Sequence, residues 1–283
     1  LKRSKPAPER LKFIPPMSPV LIEVPPAGDD WLHEIKHDGY RTELILDWAG
    51  ARAFSKKGFD WSSKYWPIVT AAEALPASSF ILDGEMIAPD ATGHSDLQSL
   101  RQAMKWNAER LAFVAFDILH LDGKDLRALP LIERKAILWD LVKPAQGAIQ
   151  FVQHVVGGGA EFFQAAEQFD LEGIVSKRPN SAYRSGASDA WVKTKCFELR
   201  DLEIVGLKRA QDGRPVALLA DGGKYVGSAA VAVSGEMRKR LWARMKEGGG
   251  PPPRPLVGRV RTLKGEGLRH ASLKEFHERD DAG

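Results

Sequence analysis

The chain has a single cysteine, Cys196, in 283 residues. One thiol closes no disulfide within the chain and builds no cysteine-based zinc site, so an intracellular, cytoplasmic setting is the expectation. Long apolar runs are missing as well. Nowhere do about 18 apolar residues follow one another, the length a membrane-spanning helix needs, so no membrane partner is expected. The opening L-K-R-S-K-P-A-P-E-R lacks the apolar stretch of a signal peptide. No internal repeat is visible. Excess charge is also scarce, with 41 Lys and Arg against 37 Asp and Glu. The balance is uneven along the chain: residues 1–200 hold 25 basic and 26 acidic side chains, and residues 201–283 hold 16 and 11. A small basic module beside a larger neutral one fits a polyanion partner, and a solvated face with spare lysines fits the charge equally well.

What is present describes an ordinary globular protein, 43% apolar and 28% charged, long enough for two domains. Residues 1–30 carry seven prolines and read as an irregular arm. From 31 to 200, E-L-I-L-D-W, S-F-I-L-D-G-E-M-I, A-F-V-A-F-D-I-L-H-L, E-G-I-V-S-K and A-W-V-K-T-K have strand composition. H-S-D-L-Q-S-L-R-Q-A-M-K-W, P-L-I-E-R-K-A-I-L-W-D-L-V and G-A-E-F-F-Q-A-A-E-Q-F have helical period, with Ser95–Asp96 and Pro130 as starts. From 201 to 283, short strands with D-G and G-G turns surround one amphipathic helix capped by Ser234, and G-G-G-P-P-P-R-P breaks the chain before a final basic pair. That order and length predict a small Greek-key barrel interrupted by a helix, an OB-fold. The whole is expected to be α+β.

Several polar residues stand at strand ends. Lys36 in E-I-K-H-D-G-Y-R closes an apolar run, where a lysine usually lays its stem on apolar neighbours and its ammonium in water. Glu85 in L-D-G-E, Phe116 and Asp117 in F-D-I-L-H-L-D-G, Glu172 and Lys177 in L-E-G-I-V-S-K, and Lys193 and Lys195 in W-V-K-T-K occupy similar places. Singly, each has a dull explanation: an X-D-G turn, a core ring, a solvated strand face. Jointly, several lysines and two glutamates are costly to bury unless they converge on something charged. Nucleotide phosphates with a divalent metal would satisfy both signs.

The K-H-D-G-Y-R stretch resembles the K-x-D-G-x-R motif of ATP-dependent DNA ligases, within the covalent nucleotidyltransferase superfamily. S-K-K-G (55–58), L-D-G-E (82–85), F-D-I-L-H-L-D-G (116–123), L-E-G-I-V-S-K (171–177) and W-V-K-T-K (191–195) resemble that family's later motifs, in order. The segment E-G-I-V-S-K-R-P-N-S-A-Y-R-S-G is most similar to the ligase modules of bacterial end-joining ligases.

The resemblance implies an adenylation domain over 31–200, of antiparallel sheets with flanking helices, and an OB-fold over 201–283. It implies that Lys36 attacks the α-phosphate of ATP to form lysyl-AMP, that AMP passes to the 5′-phosphate of a nick, and that the 3′-hydroxyl displaces it. The first step needs a neutral amine, and a free lysine has a pKa of about 10.4, which neighbouring positive charge from Lys193, Lys195, Arg41 and a metal ion would lower. By the same resemblance, Glu34 lies at the adenine edge and Phe116 stacks on the adenine. Arg41 and Glu85 contact ribose or orient neighbours, and Lys56 holds phosphate or ribose where the family more often has arginine. Lys177, Lys193 and Lys195 bind phosphates. Glu172, assisted by Asp38 or Glu85, holds Mg²⁺ or Mn²⁺. Arg184, Lys208, Arg209 and Arg269 are the expected DNA contacts. The family's last motif, R-x-D-K, has no clean match, and Arg269, His270 and Arg279–Asp280 are its nearest counterparts.

Nicked duplex DNA is the expected partner of a monomer, in repair or end joining, with the end-binding and polymerase proteins such a setting supplies. With no helical clamping domain ahead of residue 31, a minimal ligase core with a salt-sensitive grip on phosphates is expected. RNA ligation or guanylyl transfer to RNA ends, and a non-catalytic OB-fold nucleic-acid binder, are the alternatives. The missing zinc cysteines argue against an NAD-dependent ligase.

Overall fold

The computed structural model describes residues 9–143, 147–246, 256–263 and 267–278. The chain divides into two compact units, Leu1–Thr194 and Lys195–Gly283.

In the first unit the strands are β1 (Met17–Leu21), β2 (Leu32–Ile35), β3 (Tyr40–Asp47) and β4 (Gly50–Ser55), followed by helix α1 (Trp66–Glu73). Next come β5 (Phe80–Ile87), α2 (Leu97–Trp106), β6 (Ala112–Leu121), β7 (Lys124–Asp125) and α3 (Leu131–Val142). Then come β8 (Ile149–Phe151), β9 (His154–Val156), α4 (Gly159–Gln168), β10 (Gly173–Lys177) and β11 (Gly186–Lys195), whose last residue begins the second unit. One sheet runs β1-β11-β10-β2-β9, and a second runs β4-β3-β5-β6-β7 with β8 on β6. The expected helices form where their signals lie: Asp96 caps α2 by accepting from the N–H groups of Gln98 and Ser99, and Pro130 precedes α3. The proline-rich arm is not wholly irregular. Met17–Leu21 joins the edge of the first sheet parallel to β11, with a register shift between Pro19 and Val20. Proline suits that edge, where no ladder hydrogen bond is required of it.

Two motif glycines are there for closeness rather than for turning. A Cβ on Gly39 would lie 2.2 Å from the Met86 carbonyl oxygen, and one on Gly84 would lie 2.4 Å from the Phe113 ring. The D-G pairs at 38–39 and 83–84 therefore let β3, β5 and β6 approach one another, whereas Gly123, at φ +82°, is a true turn glycine.

The second unit is a closed barrel of β12 (Phe197–Arg209), β13 (Pro215–Asp221), β14 (Lys224–Val231), β15 (Leu256–Leu263) and β16 (Ser272–Glu278), in the order β12-β13-β14-β16-β15. Helix α5 (Gly235–Lys246) lies between the third and fourth strands in sequence, and Ser234 Oγ accepts from the Met237 N–H. That topology is the OB-fold. Leu202, Ile204, Leu219, Leu241, Val260 and Leu273 fill its core. The G-G-G-P-P-P-R-P run and Arg279–Asp280 lie outside the described residues.

Candidate active site

Antiparallel pairing of β2 with β10 sets the site. Ile35 faces Ile174, Glu34 faces Val175, and the Lys36 N–H donates to the Gly173 carbonyl at 2.9 Å. Lys36 and Glu172 therefore leave the sheet at the same end, and their side chains form an ion pair. Lys36 borders a cavity of about 530 Å³ in the first unit, within the usual range for a small-molecule site. Ser18 and Pro19 of β1, residues 34–37, Arg41, Glu85, Phe116, Lys177, Trp191 and Lys193 contribute to its walls.

The two ends differ. At the closed end, Glu34 and Lys177 are each 2% exposed. Glu34 takes Lys135 on Oε1 at 2.6 Å and Lys177 on Oε2 at 2.5 Å. The Lys177 ammonium also stands 4.3 Å from the centre of the Phe116 ring and 4.1 Å from that of Trp191. Burial pushes Lys177 down to about 8, the nearby Lys135 adds to that, and Glu34 opposes it. Burial alone would raise the Glu34 carboxyl, but the two lysines outweigh it and hold it below its ordinary value. Phe116 is engaged twice, since Arg41 lies 4.5 Å from its ring centre as well. The buried indole N–H of Trp191 has no acceptor among the described residues.

At the open end, Lys56 is exposed on the Lys56–Lys57 turn and Lys193 is half-buried on β11. Glu85 opens onto the cavity. Burial pushes its carboxyl up to about 7, the charges of Glu172 and Asp83 add to this, and Lys36 and Arg41 oppose it. Burial also lowers His37, beside the nucleophile candidate, which favours a neutral ring. Arg41 is fixed by Asp83 at 2.5 and 2.6 Å and by the Met17 carbonyl at 3.0 Å. Asp83 in turn accepts from the Tyr183 hydroxyl at 2.6 Å.

Not every expected residue is brought together. Asp38, Glu172 and Lys195 do not line the cavity, although Glu172 pairs with Lys36, which does, and Lys195 shares a strand face with Lys193. Arg184, Lys208 and Arg209 are exposed, and Arg269 is half-buried with its backbone held by Thr262. Arg209 stands 5.7 Å from the Trp242 ring and donates to the Gly213 carbonyl. No group of three or more His, Cys, Asp or Glu among the described residues could by itself hold a metal ion. Glu172 and Glu85 nonetheless suit one. Octahedral Mg²⁺ is commonly held by one or two carboxylates plus substrate phosphates, and these two lie close enough for the charge of Glu172 to act on Glu85.

Sequence reasoning missed Lys135 and Trp191. Trp191 lay inside the quoted W-V-K-T-K. Lys135 could have been found, because Leu131, Arg134, Lys135, Leu138, Leu141 and Val142 follow helical spacing and are all buried. Two charges inside an apolar stripe are a signal that something pairs with them.

Two packed sheets around a lysine-bearing cavity, followed by an OB-fold barrel, define a nucleotidyltransferase core of the ligase type. The model of the ATP-dependent DNA ligase domain matches residues 21–195, and the chain belongs to that family. The multifunctional non-homologous end joining protein LigD of Pseudomonas aeruginosa is 30% identical over 271 residues, covering 95% of this chain and 29% of that protein. The bifunctional non-homologous end joining protein LigD of Bacillus subtilis is 29% identical over 234 residues, covering 73% of this chain and 38% of that protein. The chain thus spans well under half the length of these relatives. The crystal structure of the ligase domain from M. tuberculosis LigD shares the fold, with a TM-score of 0.58 at 24% identity over 93% of this chain and 94% of that one. No helix among the described residues is long and apolar enough to cross a membrane.

Proposed function

We propose that this chain seals 5′-phosphate/3′-hydroxyl nicks in duplex DNA by passing AMP from ATP through Lys36. The observation that carries the reading is the place of the Lys36 amine, on a nucleotide-sized cavity, paired with Glu172 and within the field of Glu85. In the first step Lys36 gives up its proton and its pair with Glu172, its nitrogen bonds to the α-phosphorus, and pyrophosphate leaves. Lys193 and Lys56 balance the phosphate charge that shifts during this transfer, with Lys195 joining them on DNA. Glu172 and Glu85 would hold Mg²⁺ or Mn²⁺, which supplies further charge neutralisation at the phosphates. Lys177 is better suited to the base end than to phosphate, because its ammonium is buried, paired with Glu34 and packed against two rings. Arg41, fastened to Asp83, orients Phe116 and the ribose side.

The exposed Arg184, Lys208 and Arg209, with Arg269, are the proposed DNA contacts. We assign the activity to a monomer in the cytoplasm, in end joining alongside end-binding and polymerase proteins. The test uses ATP labelled at the α-phosphate. Mass spectrometry should find one adenylyl group on Lys36. Lys36→Ala should take up none and still seal a nick that is already adenylylated. An adduct on another side chain, or none, overturns the reading.

A further inference from the structure

Lys135 is out of place for a helix residue that touches no substrate. It sits on α3 with 1% of its surface exposed and does not line the cavity. Its ammonium donates to Glu34 Oε1 at 2.6 Å and to the Val152 carbonyl at 3.1 Å. Glu34 already has a counter-ion in Lys177. One carboxylate buried with one lysine is neutral, and a second buried lysine leaves a net positive charge that is expensive to desolvate. Stability alone gives no reason for it.

We propose that Lys135 is a positioning residue that sets the choice of base: it holds Glu34 in one orientation and as a pure hydrogen-bond acceptor, so that the closed end takes adenine and refuses guanine. This rests on the base-end role given above to Glu34 and Lys177. The edge of adenine offers an amine donor beside a ring-nitrogen acceptor. With Glu34 facing the exocyclic group and Lys177 facing the ring nitrogen, the order this proposal requires, an ionised Glu34 can only accept and Lys177 can only donate, which matches that edge. Guanine presents the reverse, a carbonyl acceptor beside an N–H donor. A protonated Glu34 would carry an O–H able to donate to that carbonyl, and the discrimination would weaken. Lys177 cannot keep Glu34 ionised by itself. Bonding to a base draws its ammonium away from the carboxylate it now pairs with. Lys135 stays, anchored to Val152 on the far side.

The other groups that face Glu34 do not undo this. His154 lies opposite it on β9 and His37 follows it in the chain, both lowered by burial and so inclined to be neutral. Protonating either adds positive charge beside the carboxylate and works in the same direction. Asp117 acts on Lys177, raising it, and is itself tied to Arg134.

The experiment compares ATP with GTP in labelling of Lys36 by the full chain. In the wild type the ATP/GTP ratio of kcat/KM should stay flat from pH 7 to pH 5.5, a window in which Lys177 is charged, because Glu34 remains ionised throughout. Taking ratios cancels groups that affect both nucleotides alike, Glu85 among them. Lys135→Met should raise KM for ATP more than it lowers kcat, and should cut the ratio by about tenfold or more. The loss should deepen as pH falls, and Lys135→Arg should restore most of the ratio. Equal losses with both nucleotides would make Lys135 a structural residue only and overturn the proposal. So would a wild-type ratio that falls tenfold by pH 5.5, an arm that holds even if Lys135→Met fails to fold. A wild type that takes no label from either nucleotide would instead strike the ligase reading itself.

Discussion

The two units treat charge in opposite ways. Among the described residues, every buried Asp, Glu, Lys and Arg lies in the first unit. The barrel keeps its ion pairs outside: Arg200–Asp221, Arg214–Asp212 and Arg259 with Asp201 and Glu275 are all substantially exposed. Exposed pairs gain little because water screens them, whereas buried pairs cost desolvation and persist only when every partner is in place. A barrel whose interior is apolar needs no such arrangement to stand. The first unit surrounds the cavity, and two of its buried charges, Glu34 and Lys177, belong to the cavity wall.

Burial of charge does not by itself mark function, as the neighbours Arg134 and Lys135 demonstrate. Both are buried on one face of α3, and each has a carboxylate. Arg134 binds Asp117 through two bonds of 2.8 and 2.9 Å and also holds the carbonyls of Leu129 and Ser181. That network joins loops to β6, and neither partner lines the cavity. The carboxylate of Lys135, in contrast, belongs to the cavity wall. The largest expected loss of stability follows. Arg134→Met strands Asp117 without its counter-charge and should cost about 3–5 kcal/mol in denaturant unfolding. A cost under about 1 kcal/mol would erase the contrast between buried and exposed pairs.

The same contrast explains what could be read from the sequence. In the first unit β3, β5, β6, β10 and β11 were legible because their apolar runs are long and bounded by polar ends, whereas β1 lay in an arm read as irregular and β4, β7, β8 and β9 were not read. The barrel was legible because turn residues recur between short strands. Helix α1 was not: W-P-I-V-T-A-A-E mixes β-branched residues with an early proline, and its helicity depends on burying Ile68 and Ala72. In the site, lysines and glutamates at strand ends were visible as motifs. Their division into a paired, closed end and an open end was not, because it depends on which residue of a distant helix reaches them. Lys177 and Lys193 look alike in sequence, and only the position of Glu34 and Lys135 separates them.

A middle-sized effect should come from Glu43, a buried β3 carboxyl that touches neither the cavity nor a counter-ion. Burial pushes it up to about 8, the Asp83 charge adds to this, and a hydrogen bond from the Ile14 N–H opposes it. The folded protein keeps this proton to higher pH than the unfolded chain, whose carboxyl lets it go near 4.5. Its contribution is therefore fully present below that value and is lost as pH rises through about 8. Glu43→Gln keeps an acceptor for Ile14 and carries no charge. It should match the wild type at pH 4 and exceed it at pH 8.5 by on the order of 2 kcal/mol. A difference that is constant across pH would show that Glu43 does not titrate with folding.

The smallest effect belongs to the barrel and completes the contrast. Arg259 reaches Asp201 at 3.0 Å and Glu275 at 2.9 Å, linking β15 to both of its neighbours, so by count of bonds it resembles Arg134. Its side chain is 44% exposed, however, and either carboxylate left behind by Arg259→Ala is rehydrated at once. Thermal unfolding of that variant should coincide with the wild type in moderate salt, and any difference at low salt should vanish as salt is added. A loss that survives high salt would mean that the barrel, too, depends on charge held away from water, and the division drawn between the two units would fail.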